Sequence, residues 1–132
     1  MTVACAIVGD SIALAIDLAA GARCAVVAKV GIGTRAFADL YASPLAAGLT
    51  VISLGANDGA AAAPDALRGL REKIHGTVVW LLPANTISSR AAVATVASEY
   101  GDRYIDITPY VGKDGVHPGR EGAAAIARRA GI

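Results

Sequence analysis

Short apolar runs alternate along the chain with Ala-rich stretches of helical period. Residues 3–8, 25–30, 49–54, 77–82 and 104–107 read as strands, because each is a brief run without the i, i+3, i+4 spacing of a helix face. The stretches between them read as helices. The first covers residues 12–20 and ends at Gly21, a plausible C-terminal cap. The second, 35–42, is stopped near Pro44, since the residue before a proline disfavours helix. The third, 64–74, carries Pro64 in its first turn, the fourth, 88–100, begins with Ser capping residues, and the last runs from Pro118 to about residue 130. Five strand-then-helix units, with strands apolar on both faces, predict a parallel sheet covered on each side by helices, a three-layer α/β/α architecture.

The chain has 132 residues, which fits one domain over residues 1–132 against a usual size of about 150. Apolar residues make up 55% and aromatics 5%, and thirty residues are alanine. Elements must therefore approach closely through small side chains. Twelve Lys and Arg against eleven Asp and Glu leave a net charge of +1 with no run of either sign, which argues against nucleic acid or an acidic membrane surface as a partner. The apolar N-terminal stretch is interrupted by Asp10 and Asp17 and has no Lys or Arg before it, so neither a membrane span nor a signal peptide is expected. Cytoplasmic residence, or release without a signal peptide, follows as the expectation. Cys5 and Cys24 both sit in apolar surroundings and are expected to be reduced, with pairing the lesser alternative.

In an open parallel sheet, ligands bind beyond the carboxyl ends of the strands. There the sequence places Gly9-Asp10-Ser11, Gly31-Ile32-Gly33-Thr34, Gly55-Ala56-Asn57-Asp58, and then Asp114 and His117. Each has a plain explanation alone: Ser11 as the N-cap of the first helix, Gly31 and Gly33 as turn glycines, Asn57 and Asp114 as turn residues. Their joint occurrence at matching strand ends is what suggests chemistry. Of the two histidines, His75 ends a charged helix, where a cation near the C-terminal dipole suffices. That leaves His117 as general base, with Asp114 three residues before it and able to hold one ring nitrogen while the other faces Ser11. No HxxxH, CxxC, GxGxxG or P-loop pattern occurs, so metal and nucleotide readings lack support. Arg35, Lys113 and Asn85 lie near these loops and have ordinary surface or turn explanations.

Gly9-Asp10-Ser11-Ile12, Gly31, Gly55-Ala56-Asn57-Asp58 and Asp114-Gly115-Val116-His117-Pro118 resemble, in order, the four sequence blocks of the SGNH or GDSL-like hydrolases. Ile12 stands where that family usually has Leu, and either Gly31 or Gly33 fits the second block, with Gly31 favoured. The resemblance implies a flavodoxin-like, five-stranded fold and a serine esterase that needs no cofactor or metal. Ser11 would be the nucleophile, His117 the base and Asp114 its orienting partner. Ser11, Gly31 and Asn57 would supply the oxyanion hole. With no segment long enough for a lid, a short acyl group is expected, first of all acetyl on a carbohydrate, with simple aryl or lipid esters next, and a monomer is the expected state. A lysophospholipase or thioesterase on the same fold, or a non-catalytic carbohydrate-binding module, are the alternatives.

Overall fold

Five parallel strands in the order β2-β1-β3-β4-β5 form the sheet of the computed structural model, which describes residues 3–41 and 45–132. They are β1 (Val3–Gly9), β2 (Ala25–Ala28), β3 (Leu45–Ser53), β4 (Ile74–Leu82) and β5 (Arg103–Asp106). Between and after them run α1 (Ser11–Ala19), α2 (Thr34–Leu40), α3 (Pro64–Glu72), α4 (Ile87–Glu99) and α5 (Arg120–Ala130), with a one-turn 3-10 helix over Thr108–Tyr110. The three-layer α/β/α class and the parallel sheet expected from the apolar pattern are both present. The strand order is the flavodoxin-like one, whose topological switch point lies between β1 and β3.

Alternation along the central strands divides the interior in two. On one face Val8, Ile52, Val78 and Trp80 pack with Phe37 of α2, Leu67 and Leu70 of α3 and Val93 of α4. On the other, Ile7, Val51, Val79 and Leu81 pack with Ile12 and Ile16 of α1 and Ile126 of α5. Alanines let the helices sit close: Ala13, Ala123 and Ala127 are all buried in this second layer. Away from the site, Asp102 accepts from Arg71 through both carboxylate oxygens, at 2.7 and 3.0 Å, and from the Trp80 indole at 2.9 Å.

Several local expectations are corrected. Cys5 and Cys24 form a disulfide across a Cα separation of 4.8 Å, against the reduced state expected. The cause is register: Ala6 of β1 pairs with Ala25 of β2, so the preceding residues of the two parallel neighbours also lie side by side. Strands β3 and β4 both start earlier than the apolar runs suggest, and His75 therefore stands in β4, paired with Ala46 at the amino end of the sheet, rather than at a helix end. The N-cap of α4 is Thr86, and Ser89 is buried inside the helix. Helix α5 starts at Arg120, two residues after Pro118. The expected stop of α2 near Pro44 lies outside the described residues.

Candidate active site

Ser11 is the first residue of α1, directly beyond the carboxyl end of β1. Two features bring the chain there. Gly9 has φ +134, and a Cβ at this position would lie 1.9 Å from the Ser53 carbonyl oxygen, so only glycine lets β1 end this close to β3. Asp10, not Ser11, is the N-cap: its Oδ1 accepts from the Ile12 N–H at 3.0 Å and from the Ser53 hydroxyl at 3.0 Å. The Ser11 hydroxyl is thereby released from capping. Asp10 is fully buried, and its Oδ2 has no hydrogen-bond partner among the described residues. Burial pushes its carboxyl up to about 6, against the hydrogen bonds from Ser53 and the Ile12 N–H, which act in the opposite direction.

Ser11 Oγ lies 2.8 Å from His117 Nε2, and His117 Nδ1 lies 2.7 Å from Asp114 Oδ2. The loop that carries both partners closes on itself. Val111 bridges Pro118, the Gly112 N–H donates to the His117 carbonyl at 2.8 Å, and the Gly115 N–H donates to the Gly112 carbonyl at 3.1 Å. Asp114 Oδ1 accepts from the backbone N–H groups of Val116 at 2.8 Å and His117 at 2.9 Å. These N–H donors, His117 first, and then the ring hold the Asp114 carboxyl down at about 2. One carboxylate oxygen thus fixes the loop and the other fixes the ring. Both side chains are about half exposed, at 50% and 53%, so the pair is open to solvent at the rim. Distances of this size are those of hydrogen-bonded nucleophile, base and orienting group.

The loops after β2 and β3, the strands that flank β1 in the sheet, are tied together. Asp58 accepts from the Thr34 N–H at 2.8 Å and the Thr34 hydroxyl at 2.6 Å, and so supplies the carboxylate at the start of α2 that its N-cap, Gly33, lacks. A Cβ on Gly33 would stand 3.1 Å from Asp58 Oδ1, which accounts for this glycine, whereas Gly31 is a turn residue at φ +77. Asn57 Nδ2 donates to the Ile32 carbonyl at 3.1 Å. That bond uses one of its two N–H groups and fixes the plane of the amide, leaving the second free to donate. The Ser11 N–H is among the donors that a helix start leaves without an intrahelical partner.

Of the other residues named from sequence, Asn85 donates to the Ala56 carbonyl at 2.9 Å and buttresses the Asn57 loop. Arg35 lines a groove between α2 and α3 with Asp39 and Asp65, and Lys113 is exposed. Three contributors escape sequence reasoning: Ser53, Asp58 as a cap, and Arg90. The Arg90 guanidinium binds both oxygens of Asp106, at 2.9 and 2.8 Å, and also the Pro83 carbonyl and Thr108 hydroxyl, each at 3.0 Å. It holds the Asp106 carboxyl well below the usual range and anchors the end of β5, from which the Asp114–His117 loop departs. Only its position, one turn into a helix after β4, hints at this in the sequence.

No family model matches the chain, and no curated protein does. Solved structures do resemble it. The C-terminal catalytic domain of Streptococcus pneumoniae peptidoglycan O-acetyltransferase A, carrying a methylsulfonyl adduct, superposes with TM-score 0.64 at 17% identity over 97% of this chain and 90% of that one. A second Streptococcus pneumoniae protein, provisionally described as a platelet activating factor, gives TM-score 0.65 at 15% identity over 97% and 82% of the two chains. At this identity the likeness is one of fold, and it agrees with the fold that the four sequence blocks imply.

Proposed function

We propose that the chain is a serine-dependent acyl-transferring enzyme that hydrolyses a short-chain ester, acetyl first. The observation that carries this reading is the continuous hydrogen-bonded line from Ser11 Oγ through His117 to Asp114. Ser11 Oγ attacks the ester carbonyl carbon as His117 Nε2 takes its proton, and the negative charge appears on the carbonyl oxygen. The Ser11 N–H, the Gly31 N–H and Asn57 Nδ2 donate to that oxygen. Collapse breaks the ester C–O bond, the leaving oxygen receives the proton held on His117, and an acyl-Ser11 remains. Water, activated by the same ring, then releases the acid. No cofactor enters these steps.

The resemblance to a domain described as an O-acetyltransferase supports acyl transfer at an alcohol oxygen, with water or a second alcohol as acceptor. The chain spends its length on the βα units and the rim loops, which favours a small acyl group over one needing a tunnel. No helix among the described residues is long and apolar enough to cross a membrane. The Cys5–Cys24 disulfide supports work in oxidising surroundings, hence release rather than cytoplasmic residence.

The test is hydrolysis of 4-nitrophenyl esters of increasing acyl length by the wild type and by Ser11→Ala. The expected result is highest kcat/KM for acetate, falling with length, and none for the variant. Preference for long acyl chains would favour the lysophospholipase or thioesterase reading. Turnover retained by Ser11→Ala would remove Ser11 as nucleophile.

A further inference from the structure

Helix α1 carries an unusual surface below its nucleophile. Ser11, Leu14, Ala15 and Leu18 follow the i, i+3, i+4, i+7 spacing of one helix face. Leu14 is 38% exposed and Leu18 81% exposed, although an amphipathic helix normally turns leucines inward. Beside this stripe, α1 and α5 bound a groove of about 560 Å³, within the size range of small-molecule sites. Its wall is formed by Ala15, Leu18 and Ala19 on one side and by Pro118, Ala123 and Ala124 on the other, with Arg120 its charged member. Its lining comes nearest the site at Pro118, which directly follows His117 in the chain, and at Ala15, one helical turn after Ser11.

The position of the base decides which part of an ester lies there. The carbonyl oxygen must face the donors after β1, β2 and β3, on the Gly31 and Asn57 side of Ser11. The leaving oxygen must instead come within reach of His117 Nε2, which gives it the proton taken from Ser11 as the ester C–O bond breaks. The alcohol therefore departs on the His117 side, toward Pro118 and the α1–α5 groove. A sugar in that groove would set several hydroxyls against alanine, leucine and proline side chains, where unpaired polar groups are costly. An alkyl or aryl group would gain by the same contacts.

We propose that the α1–α5 groove is the leaving-group subsite and that the physiological substrate is a short-chain ester of an apolar alcohol. This rests on the serine esterase reading and replaces the carbohydrate alcohol expected from sequence.

The experiment fixes the acyl group as acetyl and lengthens the alcohol, from ethyl through butyl and hexyl to decyl acetate, with acetylated glucosamine oligomers in parallel. Alkyl alcohols of this series have nearly the same acidity, so the chemical step is constant. Each methylene that enters the groove should raise kcat/KM by about two- to fourfold, the upper figure being full burial of a CH₂. The decyl-to-ethyl ratio should collapse in Ala124→Asp and also in Leu18→Glu, the latter at a site exposed enough to leave the fold intact. A flat alkyl series in an enzyme that still cleaves ethyl acetate overturns the inference and leaves the esterase reading standing. So does faster turnover of the acetylated sugars, or a rise with acyl rather than alcohol length. No turnover of any ester overturns both.

Discussion

Replacing Asp10 by Asn should stabilise the protein at neutral pH, and the gain should vanish in acid. The side chain is fully buried, with Oδ1 receiving the Ile12 N–H and the Ser53 hydroxyl and Oδ2 without a partner among the described residues. Its carboxyl is raised from 3.8 to about 6 by burial. In the window between these values the folded state binds more protons than the unfolded one, so stability falls as pH rises through it. As pH falls through about 4 the unfolded carboxyl is protonated as well, and well below that nothing is lost. Above about pH 6 the full difference of roughly two pKa units, on the order of 3 kcal/mol, weighs against folding. Asn keeps the Oδ1 acceptor, is as good an N-cap as Asp, and resembles the protonated acid in carrying a donor at the second position. Urea unfolding of both proteins at pH 4 and pH 7.5 isolates the effect, because other titrating groups cancel in the difference. With a slope of about 2 kcal/mol per molar, the variant's midpoint should exceed the wild type's by ~1.5 M at pH 7.5 and by only ~0.3 M at pH 4. A difference that does not change with pH, or a variant less stable at pH 7.5, would refute the reasoning.

Three further outcomes are expected. Asn57→Ala should lower kcat by about 10²- to 10³-fold with little change in KM if, as proposed, the amide donates to the transition-state oxyanion; a rise in KM alone would make it a ground-state contact. Asp114→Asn should leave the fold intact and reduce kcat by up to ~10⁴-fold through the wrong ring tautomer, and near-full kcat would mean that another group orients His117. Reducing the disulfide, which spans 19 positions, or replacing both cysteines by serine, should cost about 3 kcal/mol of stability by urea unfolding; an unchanged curve with and without reductant contradicts the pairing.

The layers of the fold were legible because they are written locally, in runs such as Ile7-Val8 and Val51-Ile52 whose both-sided apolarity admits little but a central parallel strand. The meeting of Ser11 with His117 was legible for a related reason: the end of β1 and the loop that follows β5 bring both to the same edge of the sheet. What escaped depended on tertiary proximity. Asp and Ser are equally good caps, and only the approach of Ser53 from β3 decides that Asp10 caps and Ser11 is free. The disulfide needed the β1–β2 register, which no run of residues announces. The capping role of Asp58 is hidden because its partner, Thr34, is 24 residues away, and Arg90 meets Asp106 only once β4 and β5 lie side by side.

The central claim, that Ser11 is a nucleophile activated by His117, is tested most directly by labelling with a fluorophosphonate and locating the adduct by peptide mass spectrometry. One adduct on the peptide containing Ser11 is predicted, absent from Ser11→Ala and formed far more slowly by His117→Ala. A label on any other residue, or equal labelling of the His117→Ala protein, would contradict the account.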